Sequence, residues 1–121
     1  MRIKIISEDF TICKIPDSKE IDLSQKYCFV GRTEEELSLV CITENVPAET
    51  LQREDGWKGF RIEGMLDFSL IGILAGIAAL LAEHKISIFA VSTYHTDYIF
   101  MKKERFEEAM EILQRAGYEI V

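Results

Sequence analysis

The chain has 121 residues, of which 48% are hydrophobic and 29% charged, and its formal net charge is −7. That length suits one compact unit or two very small ones sharing a core, and the composition is that of a globular protein. The negative balance argues against nucleic acid and anionic membrane as main partners, because both reward clusters of Lys and Arg.

Residues 1–6 are too short for a signal-peptide core and run at once into Glu8 and Asp9, so no targeting segment is expected. Residues 10–15 read as a first strand. Residues 16–25 are too polar and too short for a full helix. Residues 29–33 and 38–40 read as strands of a hairpin turning at Glu34 and Glu35. Pro47 suits a helix start, which predicts one or two helical turns over 47–51. Residues 60–64 alternate apolar and polar, the pattern of a strand. Asp67 or Ser69 can cap the helix predicted over 70–84. In that helix Gly72, Ala75, Gly76 and Ala79 recur at three- and four-residue spacing, which predicts a close approach to a sheet. Its apolar run, 70–82, is about 20 Å long as a helix and too short for a hydrocarbon core of about 30 Å, so no membrane span is expected. Residues 86–93 are rich in β-branched side chains and read as a buried strand, and 97–101 as the next. Residues 104–116 form an amphipathic helix with Phe106, Ala109, Met110 and Leu113 on one face, stopped by Gly117. Residues 118–121 are a last strand. Residues 58–121 therefore read as one βαββαβ unit.

A shift of 60 positions places 29–33 over 89–93 and 38–40 over 98–100. The first half reads as a worn copy of the second that keeps strands and loses most of its helices. Cys13, Cys28 and Cys41 lack any close pair in sequence and read as free thiols in apolar strands. Cys28 and Cys41 would face each other across the predicted hairpin. That geometry is open to a disulfide, with core packing the preferred reading. Three scattered cysteines and two distant histidines do not make a zinc site, so no metal is expected.

Ser92, His95 and Asp97 supply the side chains of a catalytic triad, but they lie within six residues on a strand and a turn. Side-chain alternation there opposes a serine–histidine–aspartate relay, and no catalytic residues and no cofactor are expected.

One group of residues carries a family resemblance. It comprises Trp57, Arg61, Glu63-Gly64, Leu66-Asp67-Phe68-Ser69, Gly72-Ile73-Leu74-Ala75, Leu81-Ala82, Ile86-Ser87-Ile88-Phe89 and, most specifically, Ser92-Thr93-Tyr94-x-Thr96-Asp97-Tyr98. Pro16, Glu36-Leu37-Ser38 and Val40-Cys41 fit as well. With these the chain resembles the ACT-domain family, and within it the small two-unit bacterial and archaeal ACT proteins. Those are similar to the repeat unit of the cytosolic arginine sensors of animals. The resemblance implies an α+β fold: a ferredoxin-like βαββαβ ACT domain over 58–121 and a degenerate, strand-rich ACT-like unit over 1–57. It further implies side-by-side pairing of units and a ligand site at an inter-unit interface.

In that family the ligand lies beside the loop after the first strand, here residues 65–71. The backbone N–H groups that open the helix suit a carboxylate. The expected ligand-binding residues are Asp67, Phe68, Ser69, Leu70 and Ile71 in that loop, with Ser92, Thr93, Tyr94, Thr96 and Asp97 in the strand–turn–strand segment. By resemblance to the arginine sensors, Thr93, Tyr94 and Asp97 would surround a cationic group. Two departures matter. Leu70 stands where those sensors have an acidic residue, so arginine is not implied. The Asp-Arg-Pro-Gly loop of many metabolic ACT domains is absent too. The expected protein is a cytoplasmic, homodimeric, non-catalytic regulator that binds an amino acid and acts on a further protein. The alternative is a ligand-free adaptor that uses its sheet to bind proteins.

Overall fold

Thr11, Cys13 and Ile15 alternate with Phe10, Ile12 and Lys14, and this period of two makes an extended strand. In the structure, a computed structural model that describes residues 1–63 and 72–121, the strand is longer than that pattern suggests. β1 is Arg2–Lys14, and it is followed by β2 (Cys28–Arg32), β3 (Leu37–Ile42), β4 (Gln52–Glu63), α1 (Ile73–Glu83), β5 (Phe89–Ser92), β6 (Asp97–Lys102), α2 (Phe106–Arg115) and β7 (Glu119–Ile120). Short 3-10 turns at Thr43–Asn45 and Lys103–Arg105 follow β3 and β6. The chain divides into two compact units. One is Glu8–Trp57, and the other joins Met1–Ser7 to Lys58–Val121.

Within Glu8–Trp57 the strand order is β2-β3-β1-β4. β3 pairs antiparallel with both neighbours, with Cys13 opposite Leu39 and Cys28 opposite Cys41. Cys13, Ile15, Leu37, Leu39 and Cys41 thereby fall on one face and form the core, with Ile21, Cys28 and Val46 packed against it. Thr11 is fully buried but satisfied: its hydroxyl donates to Asp55 at 2.5 Å and shares a 3.0 Å hydrogen bond with Thr43. The helical turns expected over 47–51 are not there. The one short turn ends before Pro47, because Val46 is extended (ψ 132°), as a residue preceding proline prefers.

The other unit has the expected order β4-α1-β5-β6-α2-β7. Its strands run β7-β1-β4-β6-β5, so the first residues of β1 lie beside β4 and β7 pairs parallel with Arg2 and Ile3. This additional strand belongs there because Ile3 buries itself among Phe60, Ile62, Ile99 and Met101 of the sheet and Ile77, Leu81, Ala109, Met110 and Leu113 of the helices. The small residues of α1 do not face the sheet as expected. Ala75, Gly76 and Ala79 are exposed, while Ile77 and Leu81 are fully buried, since the larger side chains remove more apolar area from water. The residue preceding α1 is Gly72, in a left-handed conformation at φ 85°, and the expected capping residues Asp67 and Ser69 lie outside the described residues.

Both helices end in the same hydrogen-bond pattern. Ile86 N–H donates to Leu81 and Lys85 N–H to Ala82, as Tyr118 does to Leu113 and Gly117 to Gln114. These are Schellman closures, in which one residue turns left-handed: Lys85 at φ 60° and Gly117 at φ 104°.

A 60-residue spacing relates four of the elements. β3 and β6 start and end 60 residues apart, and so do the two 3-10 turns. Thr33 N–H donates to Glu36 O at 3.0 Å, and Thr93 N–H donates to Thr96 O at 2.8 Å.

Candidate functional site

Half of the expected site can be described. Asp67, Phe68, Ser69, Leu70 and Ile71 lie outside the described residues. Ser92, Thr93, Tyr94, Thr96 and Asp97 form the end of β5, a tight turn and the start of β6.

The pairing of Phe89 with Phe100 continues to Ser92 opposite Asp97. Ser92 Oγ donates to Asp97 Oδ1 at 2.5 Å. Asp97 is half-buried, and among the described residues its other oxygen has no hydrogen-bond partner. Thr93 closes the turn through its N–H and its hydroxyl, both donating to Thr96 O. Thr96 is buried, and its hydroxyl donates to the Ile62 carbonyl at 2.6 Å. That bond ties the turn to the end of β4, three residues in sequence before Met65, where the expected ligand loop begins. Tyr94 is 83% exposed, and its ring meets His95 edge-on at 5.6 Å. The arrangement is a carboxylate and a hydroxyl held in register across the hairpin, with a solvent-facing aromatic ring in the turn that joins its strands. It can accept from an ammonium or guanidinium group and offer a ring face to it. Among the described residues no group of His, Cys, Asp and Glu has a metal-binding arrangement.

A hollow also lies in the Glu8–Trp57 unit. A groove of about 630 Å³ is lined by Lys14, Glu36, Ser38, Gln52, Arg53 and Glu54, over Ile12 and Cys13. Ser38 donates to Glu36, and Arg53 pairs with Asp55 at 2.9 Å. Sequence reasoning passed over Gln52, Arg53 and Glu54 because this polar, exposed half of β4 has no apolar alternation. The one available signal was the buried Thr11, which needs a polar partner and finds it in Asp55. The three thiols of this unit are held protonated. Burial pushes Cys41 up to about 12, helped by Cys13 and Cys28, and burial also raises Cys13 and Cys28.

The model of the ACT domain matches residues 52–115, which is more than half of the chain. The chain belongs to the ACT-domain family. As an ACT protein it has the α+β fold that the family implies. A crystal structure of an Agrobacterium tumefaciens protein superposes with a TM-score of 0.86 at 26% identity, over 99% of this chain and 91% of that one. A Vibrio cholerae protein of unknown function, described as a possible transport protein, gives 0.74 at 24% identity over 94% and 88%. The regulatory subunit of aspartate kinase from Thermus thermophilus gives 0.66 at 13% identity over 97% of both chains, a likeness of fold. No curated protein matches this chain. No helix among the described residues is long and apolar enough to cross a membrane.

Proposed function

We propose that this ACT protein is a non-catalytic regulator that binds a free amino acid at the β5–β6 turn and signals through ligand-dependent assembly or contact with another protein. The observation that carries the reading is Asp97. It is half-buried, oriented by Ser92 through a 2.5 Å hydrogen bond, and keeps one oxygen without a partner among the described residues. Such a carboxylate suits the ammonium of an amino acid, or a cationic side chain with Tyr94 beside it. In this reading the loop of Asp67, Phe68, Ser69, Leu70 and Ile71 completes the site, its backbone N–H groups taking the ligand carboxylate. Thr93 and Thr96 shape the turn. The same fold serves aspartate kinase as its regulatory subunit in Thermus thermophilus, which supports a regulatory role. In this reading 58–121 is the sensing domain and 1–57 its degenerate copy. The protein is a cytoplasmic homodimer, and the regulated partner is a further protein.

The test is thermal denaturation of the purified chain with each of the twenty amino acids. Binding to the native state raises the melting temperature by mass action, by about 2.7 kcal/mol of stability at a hundred times Kd. A saturable rise with one or two amino acids in the wild type, lost in Asp97→Ala with the unliganded melting temperature kept, supports the reading. An equal rise in Asp97→Ala places the ligand elsewhere. No rise with any amino acid, in protein free of bound ligand, favours the adaptor.

A further inference from the structure

Cys28 and Cys41 are direct cross-strand partners on β2 and β3, and both are free thiols. Whether such a pair is close depends on its place in the ladder. In an antiparallel hairpin, hydrogen-bonded and non-hydrogen-bonded pairs alternate, and side chains of the second kind stand nearer. The turn sets the phase. Thr33 N–H donates to Glu36 O, so Thr33 and Glu36 form a hydrogen-bonded pair. Counting back along the register, Arg32 and Leu37 are non-hydrogen-bonded, and so are Val30 with Leu39 and Cys28 with Cys41. Non-hydrogen-bonded partners have Cα atoms about 4.5 Å apart, inside the span of about 4.4–6.8 Å that a disulfide bridges. Thr11 is the residue opposite Cys41, and Cys13, two pairs further along opposite Leu39, is a diagonal rather than a direct neighbour.

We infer that Cys28 and Cys41 form a reversible dithiol–disulfide couple that locks edge strand β2 onto β3 when a low-molecular-weight disulfide is present. Cys28 starts the reaction, since it is half-buried whereas Cys41 and Cys13 are buried. Its thiolate attacks one sulfur of the small disulfide, forming a mixed disulfide and expelling one thiolate. The Cys41 thiolate then attacks the Cys28 sulfur and expels the second. One small disulfide is reduced to two thiols, two protein thiols are oxidised to one disulfide, and the two protons pass to the expelled thiolates. Burial holds the native thiols protonated, so the reaction is slow near neutral pH and quickens as pH rises.

The experiment treats the native chain with glutathione disulfide at pH 7.5 and at pH 9, blocks remaining thiols, and digests with trypsin without reduction. Cleavage after Lys26, Arg32 and Arg53 separates the three cysteines into different peptides. The expected product is a chain two hydrogens lighter, with peptide 27–32 bridged to 33–53, formed several-fold faster at pH 9, reversed by dithiothreitol and retained in Cys13→Ala. A bridge from peptide 5–14 to 33–53, glutathione adducts that never resolve, or unchanged mass each overturn the inference. Mapping in the wild type keeps the test independent of how well any cysteine variant folds.

Discussion

Replacing Thr96 by valine removes one hydroxyl and keeps the shape. The Thr96 hydroxyl is buried and donates to Ile62 O at 2.6 Å, which links the β5–β6 turn to the end of β4. The turn's own bonds, from Thr93 N–H and the Thr93 hydroxyl to Thr96 O, use backbone that valine also supplies. The loss is therefore one buried hydrogen bond, with the Ile62 carbonyl deprived of a donor. Such losses cost about 1–2 kcal/mol. In a domain of this size that lowers the melting temperature by about 4–10 °C. Thr96→Ser keeps the donor and loses one methyl, at about 0.8 kcal/mol, so it should melt between the other two. Circular dichroism melts of the three proteins decide. Thr96→Val melting within about 1 °C of the wild type would refute the tether and with it the idea that Thr96 positions the turn.

Three further outcomes follow from the packing and the backbone. A Cβ on Gly59 would stand 2.6 and 2.7 Å from the Phe100 ring and 3.1 Å from Ile99 O. Phe100 is fully buried and stacks on Phe89 at 5.0 Å, so the ring has nowhere to go. Overpacking of about 1–3 kcal/mol outweighs the roughly 0.4–1 kcal/mol gained from a stiffer unfolded chain, and urea denaturation should find Gly59→Ala destabilised, less so when Phe100→Leu is added. Lys85 holds φ 60° where α2 uses Gly117, so Lys85→Gly should stabilise the protein by up to about 1 kcal/mol, and a lower melting temperature would count against the Schellman assignment. Cys41 keeps its proton to about 12, whereas an ordinary thiol ionises at 9.0. The native state then binds more protons than the unfolded chain over that interval, so stability is full below pH 9 and falls as pH rises toward 12. Cys41→Ala should flatten part of that fall in urea titrations at pH 8 and pH 10.

The two hairpins were legible because their letters agree with their geometry. The turn residues Glu34 and Glu35 put Cys28 opposite Cys41, and the 60-residue shift that aligns residues 38–40 with 98–100 also aligns β3 with β6. The amphipathic face of α2 was equally plain, with Ala109, Met110 and Leu113 buried. The N-terminal part of β1 was harder to see. Its buried residues Ile3 and Ile6 are three apart, which breaks strict alternation, and its partners Glu119 and Ile120 lie at the other end of the chain. The face of α1 was misjudged because glycine and alanine spacing is compatible with close packing and with exposure alike. The competing pair Ile77 and Leu81 carries the larger apolar area. At the site, the Ser92–Asp97 pairing follows from adjacency across a two-residue turn. The bond from Thr96 to Ile62 joins residues 34 apart, which no local pattern announces.

The most direct test of the central claim is a titration of isotopically labelled protein with each of the twenty amino acids, following backbone amide shifts by nuclear magnetic resonance. The claim predicts saturable shifts centred on Ser92, Thr93 and Asp97, absent in Asp97→Ala. Saturable shifts confined to Lys14, Ser38 and Arg53 around the groove of the other unit, or none with any amino acid, would contradict it.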